Sequence, residues 1–384
     1  MSSAANTRPR LLLGAGPSPV PQEVLDALAR PPIGHLDPEF GELMAETAQR
    51  LREAMDTTNP VTLPLSATGS GGMAAMIANF VAPGDRIVCA VAGAFGERFV
   101  NAAERRGADV VRVEAPWGEA VPLDRLHAAT EEPFSALFAV HGETSTGVCQ
   151  PLDGLAERCH AHDALLLVDC VTSLGGHSLS IERAGIDVAF SGTQKCLNCP
   201  PGLSPFTASP RALARMLDPC QCWYFDLGAV IGYWDPDRPG RAYHHTAPIN
   251  MIYALDAALR LMLAEDRNER WARHRVAHGA LNAALEVLGC RRLARDDEAL
   301  MPLLAVQPPE RVNEAAVRQR LLSEHDIEIS GGLGRLAGRL WRFGVMGVGA
   351  TLPVQERLVR ALCDVVDADP DEPLDTLRSG WCVT

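Results

Sequence analysis

Three short segments carry residues whose types and spacing could do chemistry. Lys195 lies in SGTQKCLNCPPG (191–202), behind an apolar run and ahead of a Pro-Pro-Gly turn. An amine held at a strand end, partly desolvated and near cations, has a lowered pKa and becomes a nucleophile toward carbonyls. Once free, the same amine can move a proton as a general base. The plain alternative is a surface lysine. Against it, the chain is poor in lysine and rich in arginine, and this lysine sits in an apolar, proline-framed segment. Asp169 closes the run ALLLVD, so its carboxylate is expected at the carboxyl edge of a buried strand. A carboxylate there is costly unless paired. A pyridinium nitrogen is one good partner, because the ion pair keeps the ring protonated and electron-withdrawing. An N-cap or a structural salt bridge would satisfy it as well. Gly69-Ser70-Gly71-Gly72 precedes an apolar helical stretch, Met73–Val81. A glycine-rich turn before a helix presents amide N–H groups and the positive end of the helix dipole, which suits a phosphate. A plain tight turn is the competing reading. The segment lacks the Lys-Ser/Thr ending of a nucleotide-binding loop, and the next strand ends in Val91-Ala92-Gly93 without the acid that would hold a ribose.

These residues need elements to position them. Five nearly continuous apolar runs, RIVCAVA (86–92), DVVRVEA (109–115), ALFAVH (136–141), ALLLVDC (164–170) and IDVAFSG (186–192), read as strands buried on both faces. Amphipathic stretches such as Phe95–Gly107 and Leu152–His162 lie between them. That alternation predicts an α/β fold, a mostly parallel sheet with helices on both sides. Ligands of such sheets sit beyond the carboxyl ends of the strands. Met251–His278 is helix-rich and leads out of this unit. The remainder reads as a smaller α+β unit: a helix through Leu281–Leu288, a strand near Leu303–Val306, a helix from Asn313, a strand over LWRFGVM (340–346) and a closing helix from Pro353. The expected division is an N-terminal arm over 1–21, a large domain over 22–256 and a small C-terminal domain over 257–384.

Composition narrows the function classes. The formal charge of −13 argues against a nucleic-acid partner, which needs a basic footprint. No apolar run approaches the roughly 18 residues of a membrane helix, and Met1–Arg10 is polar, without the apolar stretch of a secretory signal. The eleven cysteines, an odd number, read as reduced thiols in a cytoplasmic compartment. Cys196-x-x-Cys199 and Cys220-x-Cys222 lack the second pair or spaced histidines of a structural zinc site, so no metal is expected.

The phosphate turn, the acid and the lysine occur in the order and spacing of fold-type-I pyridoxal-phosphate enzymes. The chain resembles the class V aminotransferases of the alanine–glyoxylate and serine–pyruvate group. The resemblance covers almost the whole chain: LLLGAGPSPVP (11–21), TGSGG (68–72), PGDRIV (83–88), HGETSTGV (141–148), LLLVDCVTSLGG (166–176), GIDVAFSGTQKCLNCPPG (185–202), YHHTAP (243–248), EISGGLG (328–334) and LWRFGVMG (340–347). It implies a seven-stranded, mostly parallel sheet sandwiched by helices, with pyridoxal 5′-phosphate as cofactor. It implies that Lys195 carries the cofactor as a Schiff base and that Asp169 pairs with the pyridine nitrogen. Thr144 would sit by the phenolic oxygen and Phe95 on the ring face. Ser70, Gly71 and Gln194 would hold the phosphate, with Gly72 beside it. Tyr243 and Thr246 would complete the phosphate cup across a homodimer interface. Arg342 would grip the substrate carboxylate bidentately, and Gly34 and His35 would line the substrate side. Relatives often have tryptophan at Phe95, serine at Thr144 and histidine at Gly72. Phenylalanine still stacks and threonine keeps the hydroxyl, while Gly72 removes a side chain near the phosphate. The implied reaction is ping-pong transamination from alanine or serine to glyoxylate or pyruvate. A lyase on the same scaffold, such as a desulfurase, would need a nucleophilic cysteine on a mobile loop. Cys290 follows a helix and Cys363 lies within one, so neither fits. A ligand-sensing regulator would need a DNA-binding region, for which the residues before LLLGAGPS leave no room.

Overall fold

A computed structural model describes residues 9–235 and 242–382. The first eight residues of the expected N-terminal arm lie outside the described residues. Seven strands form the main sheet: β1 (Val61–Leu65), β2 (Arg86–Val91), β3 (Asp109–Glu114), β4 (Ala136–Val140), β5 (Leu165–Asp169), β6 (Val188–Phe190) and β7 (Ser204–Ala208). Their order across the sheet is β1-β7-β6-β5-β4-β2-β3. All neighbouring pairs are parallel except the two made by β7, which runs antiparallel to both β1 and β6.

The five runs read from sequence as strands are β2 to β6. Strands β4, β5 and β6 are buried at every residue, which is why they are almost uniformly Val, Leu, Ala and Phe. Helices Gly69–Phe80 and Ala94–Arg105 follow β1 and β2. The glycine-rich segment is therefore inside the first turn of its helix, not a turn ahead of it. β5 stands in the middle of the sheet. Its last residue, Asp169, is in register with Val140 of β4 and Phe190 of β6. Three adjacent parallel strands thus end level with one another, and the carboxyl edge there is the natural seat for a ligand.

A second sheet combines β8 (Arg291–Arg292), β9 (Leu303–Gln307), β10 (Ser330–Gly331) and β11 (Trp341–Gly344), in the order β8-β9-β11-β10. Helices Arg267–Val287, Leu352–Val365 and Asp371–Trp381 contribute to its apolar core, which is separate from that of the main sheet. The helix-rich segment expected from Met251 is two helices, Ile249–Leu263 and Arg267–Val287.

The N-terminal segment joins the two parts. Leu11–Leu12 pairs in parallel with Ile327–Glu328. Gly344 donates its amide to the Leu13 carbonyl at 2.8 Å. Leu13 is buried in the second core. Ser18 then reaches the main sheet, donating its amide to Gln194 at 2.9 Å and its hydroxyl to the Lys195 carbonyl at 2.6 Å.

Candidate active site

A cavity of about 210 Å³ opens at the carboxyl ends of β4, β5 and β6. Ser70, Phe95, Thr144, Asp169, Gln194 and Lys195 line it together with Arg98, Val140 and Phe190. Six of the thirteen residues singled out from sequence thus converge on one space.

Asp169 is buried, and its Oδ1 accepts the Val171 amide at 2.8 Å. Burial is the main force on this carboxyl and pushes its pKa up to about 7, while the Val171 hydrogen bond pulls the other way. Such a group binds a cationic partner well, because the partner removes the desolvation penalty. Lys195 is also buried, and burial, helped by the Arg342 charge, lowers its pKa to about 8. Its amine donates to the Ala15 carbonyl. Near neutral pH this lysine keeps an appreciable fraction of free amine, the nucleophilic form. It is also the only lysine in the chain.

Glu143 organises the opposite wall. It sits on a short hairpin whose strands are Gly142–Glu143 and Val148–Cys149. Its carboxylate accepts the amides of Phe95 at 3.0 Å and Gly96 at 3.2 Å, and the amide of Ser145 at 3.0 Å. The acid thereby caps the helix that bears Phe95 and ties it to the loop that bears Thr144. Arg98 stands one helical turn beyond Phe95. Its guanidinium lies 4.6 Å from the Phe95 ring centroid and donates to Ser70 Oγ at 3.4 Å. Gln194 has a buried side-chain oxygen, Oε1, with no hydrogen-bond partner. Arg342 is buried on β11 and donates to the carbonyls of Gly331 and Thr144, at 2.8 and 3.0 Å. It therefore reaches from the second sheet to the Thr144 loop.

The remaining residues lie elsewhere. Gly71 and Gly72 do not line the cavity, and both donate their amides to the Thr68 carbonyl, at 2.7 and 3.1 Å. The missing side chain at Gly72 leaves room for the sheet rather than for a phosphate. A Cβ there would collide with Ser204 Oγ and come within 3.0 Å of Phe190 Cβ. Tyr243 and Thr246 bond each other at 3.2 Å, and the Tyr243 ring centroid lies 5.3 Å from that of His35. This group, with Gly34, borders no part of the cavity within one chain.

The model of the class V aminotransferase family matches residues 10–337. The chain belongs to the class V aminotransferase family. It is 35% identical to alanine–glyoxylate aminotransferase of Callithrix jacchus, over 95% of this chain and 89% of the relative. It is 35% identical to (S)-ureidoglycine–glyoxylate transaminase of Bacillus subtilis, over 88% of this chain and 86% of that one. Among solved structures, alanine–glyoxylate aminotransferase from Nostoc superposes with a TM-score of 0.92 at 44% identity, covering 95% of this chain and 97% of that one. Pyridoxamine–pyruvate aminotransferase from Mesorhizobium loti gives 0.91 at 28%, with 99% of each chain covered. A cysteine desulfurase from Thermococcus onnurineus, at 13% identity, shares the fold alone.

The class V aminotransferase has the fold-type-I α/β architecture and uses pyridoxal 5′-phosphate. The cavity suits that group. It offers a buried acid for a ring nitrogen, an amine for an aldehyde, an aromatic face, and the Gln194 side-chain amide, whose N–H groups can donate to a phosphate. The sequence reading missed Arg98 and Glu143. Arg98 carried a signal, since it lies three residues after Phe95 and so on the same helix face. Glu143 carried none that could be separated from the hairpin it sits on.

Proposed function

We propose that this aminotransferase moves an amino group from a small amino acid, alanine or serine, to a 2-oxo acid, glyoxylate or pyruvate. The observation that carries the reading is a buried acid and a buried amine, Asp169 and Lys195, facing one cavity at the carboxyl ends of the central strands. Relatives named for glyoxylate as acceptor, in bacteria and animals alike, supply the substrate class.

When bound, pyridoxal phosphate withdraws electrons from the substrate α-carbon and lets its proton leave. Lys195 would anchor the cofactor and, when displaced, hold that proton on its neutral amine. Asp169 would keep the ring nitrogen protonated, Phe95 would cover one ring face and Thr144 would donate to the ring oxygen. Ser70, Gln194 and Arg98 would hold the phosphate. Arg342, already fixed by two main-chain carbonyls, would pair with the substrate carboxylate through its other donors.

The working unit is a homodimer with shared sites. Trp223, Tyr243 and Leu36 are 67%, 61% and 51% exposed, an unusual amount of bare apolar surface. Tyr243, Thr246, Gly34 and His35 would reach the partner's cavity from this patch. We divide the chain into an arm over 1–21, a large domain over 22–256 and a small one over 257–384. Two separate apolar cores support two domains, although the first core runs on past the boundary through Ala258, Leu259 and Met262. Eleven unpaired cysteines suit a reducing compartment such as the cytoplasm. No described helix is long and apolar enough to cross a membrane. A desulfurase reading is not favoured, because no cysteine lines the cavity.

Borohydride reduction of the holoenzyme followed by peptide mapping tests the anchor. The cofactor must appear on Lys195, and Lys195→Ala must trap none. A panel of amino donors scored for 2-oxo acid product tests the reaction. Failure of every donor to yield an oxo acid would sink the reading even if Lys195 were labelled.

A further inference from the structure

We propose that His141, Cys149 and His177 form a binding site for a divalent cation of the zinc class, at the base of the hairpin that carries Glu143 and Thr144. This goes beyond the transamination reading and does not rest on it. The three residues come from separate elements. His141 follows β4, Cys149 closes the hairpin opposite Gly142, and His177 follows the turns after Asp169. Their donor atoms all lie within 4.8 Å of one another.

The spacing matches a tetrahedral site. Cys149 Sγ lies 3.5 Å from His141 Nε2 and 3.3 Å from His177 Nε2. Zinc bonds of roughly 2.3 Å to sulfur and 2.0–2.1 Å to nitrogen at tetrahedral angles place sulfur and nitrogen about 3.5 Å apart. One thiolate and two imidazoles form a borderline-soft set that favours zinc over magnesium or calcium. The fourth position is available. All three residues line a cavity of about 500 Å³, so a water molecule can complete the shell.

The protonation states are compatible. Burial holds His141 and His177 neutral, with pKa values near 3 and 4, so each can present a lone pair. Burial also pushes the Cys149 thiol up to about 12. The entering cation must therefore displace the thiol proton, and one proton leaves to solvent as the metal–sulfur bond forms. His141 turns Nε2 toward the cluster, and its buried Nδ1 would carry the ring proton when Nε2 binds the cation. His177 Nδ1 accepts the Met301 amide at 3.2 Å. Metal binding through Nε2 moves the ring proton to Nδ1 and breaks that long bond. One neutral hydrogen bond is small beside the binding free energy of a zinc site. The cation would clamp both ends of the hairpin to the segment after Asp169.

Cobalt titration of the holoenzyme, read as difference spectra, tests the proposal. About one equivalent per chain should bind, with tetrahedral bands in the red and a thiolate charge-transfer band in the near-ultraviolet. Zinc should displace it. Cys149→Ser should lose the charge-transfer band, and His177→Asn should weaken binding by about tenfold or more. Cys382→Ser, at an exposed cysteine far along the chain, should behave as wild type. Folding of each variant is checked by its retained cofactor absorbance. Absence of both bands from wild type with excess cobalt overturns the site, as does an unchanged charge-transfer band in Cys149→Ser. If a variant fails to fold, the wild-type titration alone decides.

Discussion

A Cβ built on Gly16 would lie 2.8 Å from the amine of Lys195. Gly16 also has φ of +106°, a region that L side chains rarely adopt. Both facts put Gly16→Ala at odds with the site. The variant should lose at least ~1 kcal/mol of stability in denaturant unfolding. Its kcat should fall about 10- to 100-fold, because the amine must move. Wild-type turnover in Gly16→Ala would contradict the contact.

Asp169 should leave a signature in the cofactor-free protein. Its folded pKa of about 7 stands above the ordinary 3.8, so the folded chain holds a proton that the unfolded chain releases between those values. The stability it contributes is fullest below about pH 4 and is lost as pH rises through about 7. Asp169→Asn should flatten this slope in paired unfolding curves from pH 4 to 8, and should weaken cofactor binding. Parallel curves for the two proteins would refute the shift.

Lys195 and Arg342 are coupled by charge. Capture of pyridoxal phosphate by the cofactor-free chain should speed up as pH rises through about 8, where the amine becomes neutral. Arg342→Gln removes a cation that lowers the Lys195 pKa, so the rising limb should move to higher pH. Arg342→Lys keeps the charge but not the fork, so it should leave the limb nearly in place and raise KM about 10- to 100-fold. Stopped-flow absorbance and steady-state kinetics separate the two effects.

Arg98 bridges the Phe95 face and Ser70. Arg98→Ala should raise the cofactor dissociation constant about tenfold, measured by equilibrium dialysis. A much smaller change would assign Arg98 to the surface alone.

Trp223 is the most exposed of the large apolar side chains among the described residues. Trp223→Asp should shift the sedimentation of the protein toward monomer and reduce activity with it. An unaltered dimer would place the interface elsewhere.

The chemistry-bearing strands were legible because burial on both faces leaves an unbroken apolar run, as in ALLLVD before Asp169. Strands β1 and β7 were not legible. Each is five residues long with a proline inside, Pro64 and Pro205, which reads as a break. In the sheet the two prolines face each other, and the Pro205 carbonyl turns the other way to accept the Ser191 amide at 2.7 Å. Pro64 lies on an edge strand, where a missing amide hydrogen does no harm. Lys195, Asp169, Ser70, Phe95, Thr144 and Gln194 could be drawn together from motif order. The surroundings that set the behaviour of Lys195 could not: Ala15, Gly16 and Arg342 lie roughly 150 to 180 positions away in the chain, and no local pattern announces such contacts.

The strap formed by residues 11–18 has a consequence for the order of assembly. It is synthesised well before its partners, which include Gln194, Lys195, Asp326, Glu328, Ser330 and Gly344. It cannot be seated until almost the whole chain has been made, and contacts of such long sequence separation are slow to form. The lysine compartment is thus closed by a segment that is made early and seated late. Pulsed hydrogen exchange during refolding should show the amides of Leu11 and Leu13 becoming protected together with that of Gly344, after those of β5.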